Sequence, residues 1–391
     1  MLTRPRVNAG LLPVVLLVGG ALLFGVFVWL VGWQLGADSA VYRAGALTFL
    51  HGDPLYDPER LSTLPSWVAL PFTYPPAAAL LFVPLTALPS GLTWGVLAAG
   101  SVLSLAVVVR LGLRPAPASW RRWPVVAGLT VLALGLEPVW KTIFLGQVNL
   151  LLLAALLLDL LVVGARGSRW GGVLVGVAAA VKLTPLIFVV HLFLIGRRAD
   201  AARALGTFAV LQGVMFAVMP RDAIRYWTEA ATDPDRVGSV HWIFNQSLNG
   251  LLNRATELAP WSLPVALAIG AVLAVPSIWL VRRLHARGEA LAAVLVSGFL
   301  ALLISPVSWT HHWVWAVPLI VLLAAKGRYW AALAVTAFFG SAFIMFVPNG
   351  GETEFGWGLG FGVLGNGYVL AAAFGLLAVA ALELRKRAKL V

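Results

Sequence analysis

Along this chain, apolar runs of roughly 17–25 residues follow one another with only short polar segments between them. Each is long enough for a helix to cross a hydrocarbon core of about 30 Å. The pattern predicts single crossings over about 11–33, 91–110, 123–138, 148–165, 201–219, 263–281, 290–306, 309–325, 329–347 and 363–382. Two stretches depart from it. Residues 76–88 are too short to cross easily. Residues 170–196 begin and end at basic positions yet carry "AAAVKLTPLIF" in the middle. That combination predicts a hairpin of two short helices with Lys182 and Pro185 near its tip. Counting the hairpin as two gives about twelve spans, and 1–391 reads as one all-α polytopic membrane domain. The first apolar run is too long for a signal-peptide core and has no A-x-A site after it, so it is expected to remain as the first helix. Neither a fixed-period repeat nor an inverted half-to-half symmetry is visible.

Composition agrees with the pattern. The chain is 60% hydrophobic and 11% charged, with a mean hydropathy of +0.91, whereas soluble domains carry roughly a quarter charged residues. The absence of cysteine excludes disulfides and thiolate metal sites. A net charge of +12 would raise nucleic acid as a partner in a soluble protein. Here the distribution of charge argues for membrane lipids instead. Of the 28 Lys and Arg, 20 fall at Arg4 and Arg6, Arg110 to Arg122, Arg166 with Arg169, Arg197 to Arg203, Arg282 to Arg287, Lys326 with Arg328, and Arg385 to Lys389. Of the 16 acids, 12 fall in the alternate loops: Asp38 to Glu59, Glu137, Asp222 to Glu257, and Glu352 with Glu354. The positive-inside rule then puts both termini in the cytoplasm and the acidic loops outside.

The candidate chemistry gathers on that outer face. "ISPVSWTHHWVW" sets His311 and His312 between two apolar runs at their outer ends. An interfacial turn among belt tryptophans accounts for them equally well. Asp38 follows the first span and opens "AVYRAGALTFL", whose spacing predicts a short amphipathic interfacial helix. Its carboxylate could serve as a general base or as an ordinary helix cap. Gln147 and Asn149, near Glu137 and Lys141, are polar groups at membrane depth, which usually face a cavity. Lys182 is a stronger case and could hold a lipid phosphate, or else snorkel to water. In the long loop 220–262, Asn245, Gln246, Asn249 and Arg254 could bond sugar hydroxyls and Trp242 could stack on a ring, or the loop could simply pack on itself. No H-E-x-x-H, glycine-rich phosphate loop or nucleophile elbow occurs, and two histidines with scattered acids are too few for a metal site. No cofactor is expected.

Six ordered stretches carry a likeness: "ADSAVYRAGALTFLHGDPLYD", "FTYPPAAALLFVPL", "LGQVNLLLLAALLL", "GVAAAVKLTPLIF", "NQSLNGLLNR" and "SPVSWTHHWVW". Together they resemble glycosyltransferase family 87, the actinobacterial polyprenol-phosphate-mannose-dependent α-1,2-mannosyltransferases. The resemblance implies a GT-C membrane fold with its active site on the extracytoplasmic side. It also implies a polyprenyl-phosphate-mannose donor, a glycolipid acceptor such as a phosphatidylinositol mannoside, and inversion at the sugar. It makes Asp38 the base and gives the functional histidine to His311 or His312. By position and chemistry, Lys182, Gln147 and Asn149, with Tyr42 and Arg43 beside Asp38, are expected at the donor phosphate and cavity wall. Asn245, Gln246, Asn249, Arg254 and Trp242 are expected at the acceptor. The rival reading is a transporter or flippase of a lipid-linked sugar, and a non-catalytic envelope scaffold is a third.

Overall fold

The computed structural model describes residues 9–57, 60–233 and 235–388. Arg4, Arg6, Glu59 and Lys389 of the charge pattern lie outside the described residues. Among these residues the regular structure is helical, with one isolated antiparallel bridge. Seven helices are long and apolar enough to cross a membrane, or eight if one bent pair counts as a single span. Three further apolar helices have 10–17 residues. The protein is therefore a multi-pass helical membrane protein, but the twelve spans expected from the sequence are not reached by length and composition.

The expected crossings at 290–306 and 309–325 come out as the shorter helices Ala290–Ile304 and Thr310–Ala325, and two departures account for the rest. The run expected to cross over 123–138 breaks after Ala133, and the helix Glu137–Leu145 leaves at 82° to Trp123–Ala133. Pro138 sits in the first turn of the second helix, where a missing N–H costs nothing. The other departure is the expected hairpin. Val173–Val181 ends at Lys182, whose backbone is extended (φ −149°, ψ 130°), and after a 3-10 turn at Thr184–Leu186 the helix Ile187–Leu194 follows. Nine residues rise only about 14 Å, so neither arm crosses alone.

Contacts divide the chain into two compact units. One runs to Leu158 and includes Ala316–Gly340. Its centre is the helix Ser90–Gly112, which packs on Leu12–Leu30, Asn149–Leu158 and Ala316–Ala325. The first of these crossings is close because glycine meets glycine: a Cβ on Gly25 would stand 2.3 Å from Gly95 Cα. Small residues at a crossing let two backbones approach in lipid, where burial of apolar surface gives no net drive between helices. The helix Ala37–His51 starts after Gly36 in the left-handed region (φ 79°) and stops at Gly52 (φ 74°). It was expected as an amphipathic surface helix, yet eight of its 15 residues are buried.

The other unit holds Asp159–Trp315 and the chain from Ser341 onward. Arg198–Val218 packs along both arms of the hairpin. A Cβ on Gly176 would lie 2.4 Å from the Ala204 carbonyl, so the arm Val173–Val181 lies almost on its neighbour's backbone. The N-terminus of that arm is capped from a distance, because the Asp159 carboxylate accepts from the backbone N–H of Gly172 (2.7 Å) and Val175 (3.1 Å). Ser262–Ala286 packs on Ala290–Ile304 and Gly367–Ala388. The last contact is fastened where the Glu383 carboxylate accepts from Arg283 (2.9 Å), Arg287 (2.7 Å) and Lys386 (2.7 Å).

Candidate active site

In the first unit, Asp38 lies in the first turn of Ala37–His51, and the next turn carries Tyr42 inward. Tyr42, Tyr74 and Gln147 are buried and joined to one another. The Tyr42 hydroxyl donates to Gln147 Oε1 (2.7 Å), Gln147 Nε2 donates to the Tyr74 oxygen (3.1 Å), and the two phenol oxygens are 2.9 Å apart. With the Tyr74 hydrogen turned toward Tyr42 the ring closes in one direction, and each phenol's single hydrogen is used inside it. Burial, then Tyr74, then the negative charge of Asp38 push the Tyr42 phenol well above its ordinary pKa. Tyr74 is raised by burial first and by Asp38 second. The carboxylate of Asp38 is thus felt at both phenols, which stay neutral.

The start of this helix is fixed from outside as well. Gly36 N–H donates to the Phe144 carbonyl (3.1 Å), and Arg43 Nε donates to the Leu88 carbonyl (2.7 Å). Gly146 (φ 68°) approaches Ser39 so closely that a Cβ would sit 2.7 Å from its side chain. Asn149 is buried and reaches Thr142 Oγ1 at 3.4 Å. Of the residues expected here, the structure therefore brings Tyr42 and Gln147 together directly and ties Arg43 to backbone. Tyr74 joins them although the sequence reading did not single it out. Its only signal was a lone phenol in "FTYPP", flanked by apolar residues.

The second unit holds the basic cluster. Lys182, at the tip of the hairpin, has Nζ 2.9 Å from His312 Nε2. A charged ammonium has hydrogens to give and no lone pair, so His312 Nε2 accepts and its remaining proton sits on Nδ1. His311 is buried and packs edge-on against His312, with ring centroids 4.7 Å apart at 88°. Beginning at Leu183, next to Lys182, an apolar cleft of about 580 Å³ runs between the hairpin's second arm and the helices Ser262–Ala286 and Ala290–Ile304. Val190, Ile278, Leu300 and Ile304 line it. One polar pair interrupts the wall, His191 Nδ1 to Ser297 Oγ at 2.8 Å.

The residues expected at an acceptor turn mostly inward. Arg254 is buried, and donates to the carbonyls of His241, Trp242 and Asn245 and to Asn366 Oδ1. Burial pushes the Arg254 guanidinium down, to about 9, with Glu354 pulling the other way. Gln246 donates to the carbonyls of Ile243 and Gly365 and accepts from Tyr368 N–H. Asn245 and Asn249 both donate to the Pro306 carbonyl. Trp242 differs: it is 40% exposed, holds Asn349 Oδ1 through Nε1 (3.1 Å), and packs edge-on to Phe244 and Trp309. Among the described residues, no three His, Asp or Glu side chains converge as a metal set.

The chain is similar to several curated proteins. A polyprenol-phosphate-mannose-dependent alpha-(1-2)-phosphatidylinositol mannoside mannosyltransferase of Mycobacterium tuberculosis is 33% identical over 354 residues, 84% of this chain and 81% of the relative. The protein of the same name in Mycolicibacterium smegmatis is 34% identical over 82% of this chain and 78% of its own. A polyprenol-phosphate-mannose-dependent alpha-(1-2)-phosphatidylinositol pentamannoside mannosyltransferase of Mycobacterium tuberculosis is 37% identical over 73% of this chain and 65% of its own. No solved structure matches. The model of glycosyltransferase family 87 matches residues 72–306, more than half of the sequence and a stretch that includes Tyr74, Gln147, Lys182 and the 245–254 segment. This chain is a member of glycosyltransferase family 87.

Proposed function

We propose that the protein transfers mannose from a polyprenyl-phosphate-mannose donor to a phosphatidylinositol mannoside or related glycolipid. The bond formed is an α-1,2 linkage, made on the extracytoplasmic face with inversion at the sugar. The observation that supports this most is the Lys182–His312 pair, 2.9 Å apart, with an apolar cleft lined from the next residue, Leu183, onward. A cation beside a cleft of that kind suits an amphiphile with an anionic head and a hydrocarbon tail, which describes a polyprenyl phosphate.

The roles in the reaction are those that the family resemblance implies, with Asp38 in one unit and Lys182 and His312 in the other. The acceptor hydroxyl oxygen attacks the anomeric carbon, and the Asp38 carboxylate takes its proton. The bond between the anomeric carbon and the phosphate oxygen breaks on the opposite side of the sugar. The leaving phosphate gains negative charge as it departs, and Lys182 and His312 meet that charge. One base suffices for a single inverting displacement, so no second carboxylate is required. In this reading His312 takes the histidine role, and His311 supports its ring edge-on. Tyr42, Tyr74 and Gln147 stiffen the helix that carries Asp38, and the exposed face of Trp242 is left for a sugar ring. The acid-bearing loops give the face, by the positive-inside rule.

The test is mannose transfer by purified full-length protein, followed by mass spectrometry of the glycolipid. Asp38→Asn should lower kcat about 10²–10⁴-fold, the usual worth of a general base. Lys182→Ala and His312→Ala should each lower it about 10²–10³-fold. Wild-type rates in Asp38→Asn would remove Asp38 from the chemistry. Donor binding and release without any extended product would return the protein to a transport role.

A further inference from the structure

We infer that Asn245 is a positioning residue for His312, and does not contact the acceptor. The inference rests on the reading of Lys182 and His312 given above. Ala290–Ile304 ends at Ser305, where the backbone turns extended (φ −61°, ψ 136°). From there the chain has seven residues in which to bring His312 Nε2 to a lysine on a different element. Such a segment holds its path only if something fixes it.

What fixes it is the start of "NQSLNGLLNR". The Pro306 carbonyl receives three side-chain donors: Ser247 Oγ (3.1 Å), Asn249 Nδ2 (3.1 Å) and Asn245 Nδ2 (3.3 Å). Ser308 N–H donates back to Asn245 Oδ1 (2.9 Å). The Asn245 amide therefore grips the segment on both sides of Val307, with Nδ2 also donating to the Val240 carbonyl (2.8 Å). Main chain adds to the grip. Gln246 N–H donates to the Ser308 carbonyl and Thr310 N–H to the Phe244 carbonyl, both at 2.8 Å, around the Asn245–Trp309 bridge. His312 N–H then donates to the Trp309 carbonyl (2.7 Å) and starts the histidine turn. The anchor ends two residues before His312, so any drift in it reaches the ring almost undamped.

Asn245 is fully buried, and each bond at its amide runs to protein backbone. Gly250 shows how closely it is held, since a Cβ there would stand 2.3 Å from the Asn245 carbonyl oxygen and 2.9 Å from its Cγ. Gly250→Ala would push on the same residue without altering any hydrogen-bonding side chain.

The experiment measures kcat and both KM values for wild type, Asn245→Ala, Asn249→Ala and Gly250→Ala, and for Asn245→Ala combined with His312→Ala. Thermal midpoints are recorded for all. A misplacement of about 1 Å costs on the order of 100-fold in rate. Asn245→Ala should therefore lower kcat about that much, with both KM values within about 3-fold. In the His312→Ala background the same change should cost less than about 3-fold, because coupled residues are not additive. Should Asn245→Ala fail to fold, Asn249→Ala and Gly250→Ala carry the test and should lower kcat at unchanged acceptor KM. A raised acceptor KM at normal kcat would make Asn245 an acceptor ligand and overturn the inference. Equal losses with and without His312 would make the role one of general structure, with the same result. If His312→Ala and Lys182→Ala keep wild-type kcat, the underlying reading fails. If they are impaired while Asn245→Ala is not, only the inference does.

Discussion

Two phenols and one amide hold the first turns of Ala37–His51, and their protonation can be followed from outside. A tyrosine whose pKa is higher folded than unfolded contributes stability that is complete below about pH 10 and is lost as pH rises further. Tyr42 and Tyr74 are both raised. Thermal unfolding in detergent should therefore give a flat midpoint from about pH 7 to 9 and a fall above about pH 10. Tyr42→Phe should start lower, by about 1–2 kcal/mol for the broken ring, and fall less steeply. Parallel curves for the two proteins would detach the alkaline loss from this ring. The comparison between them also cancels the contribution of Arg254. Residue types in the sequence single out Asp38, Lys182 and the histidine pair as candidates, and only the family resemblance gives them roles. Residue types were not enough to say which way an amide points. Asn245, Gln246, Asn249 and Arg254 look like sugar ligands when placed in an external loop. In the fold, backbone carbonyls take up their donors, some within the same loop and one, that of Pro306, more than fifty positions away.

Among elements, the close crossing of Leu12–Leu30 with Ser90–Gly112 offers a direct test of packing. Gly95→Val would drive side-chain atoms into the Gly25 backbone and should cost about 1–3 kcal/mol, as overpacking does. Gly19→Val, on the same first helix but with open space around it, should leave the thermal midpoint in detergent unchanged. A neutral Gly95→Val would mean that the two helices separate without penalty. The hairpin was legible beforehand because a lysine and a proline interrupt an otherwise unbroken apolar run. The bend after Ala133 was not, since "LALGLEPVW" stays apolar up to Glu137. Pro138 is what gives it away in retrospect, as a residue that starts helices more readily than it continues them.

At the scale of the whole molecule, the membrane class and the family were both written plainly in the chain, in its apolar periodicity and its six ordered stretches. The number of crossings was not, because apolar length alone does not decide how a helix that breaks, turns back or runs under 18 residues is counted. Sidedness has a convenient handle in the missing cysteines, since any single cysteine introduced is the sole thiol. Asp53→Cys and Lys326→Cys are both exposed positions. The first should react with an impermeant maleimide in intact cells, and the second only after permeabilisation. The reverse pattern would invert the orientation proposed here.

The Lys182–His312 bond also sets an order of events at the ribosome. The two residues are 130 positions apart. At 5–20 residues per second, roughly ten seconds separate the emergence of the lysine from that of its histidine. Throughout that interval the hairpin tip lacks the ring nitrogen that accepts from its ammonium in the finished protein. The bond can close only when the histidine turn arrives. The pair is therefore one of the last things this protein completes, and a chain stalled before residue 312 would lack it however well its earlier helices had inserted.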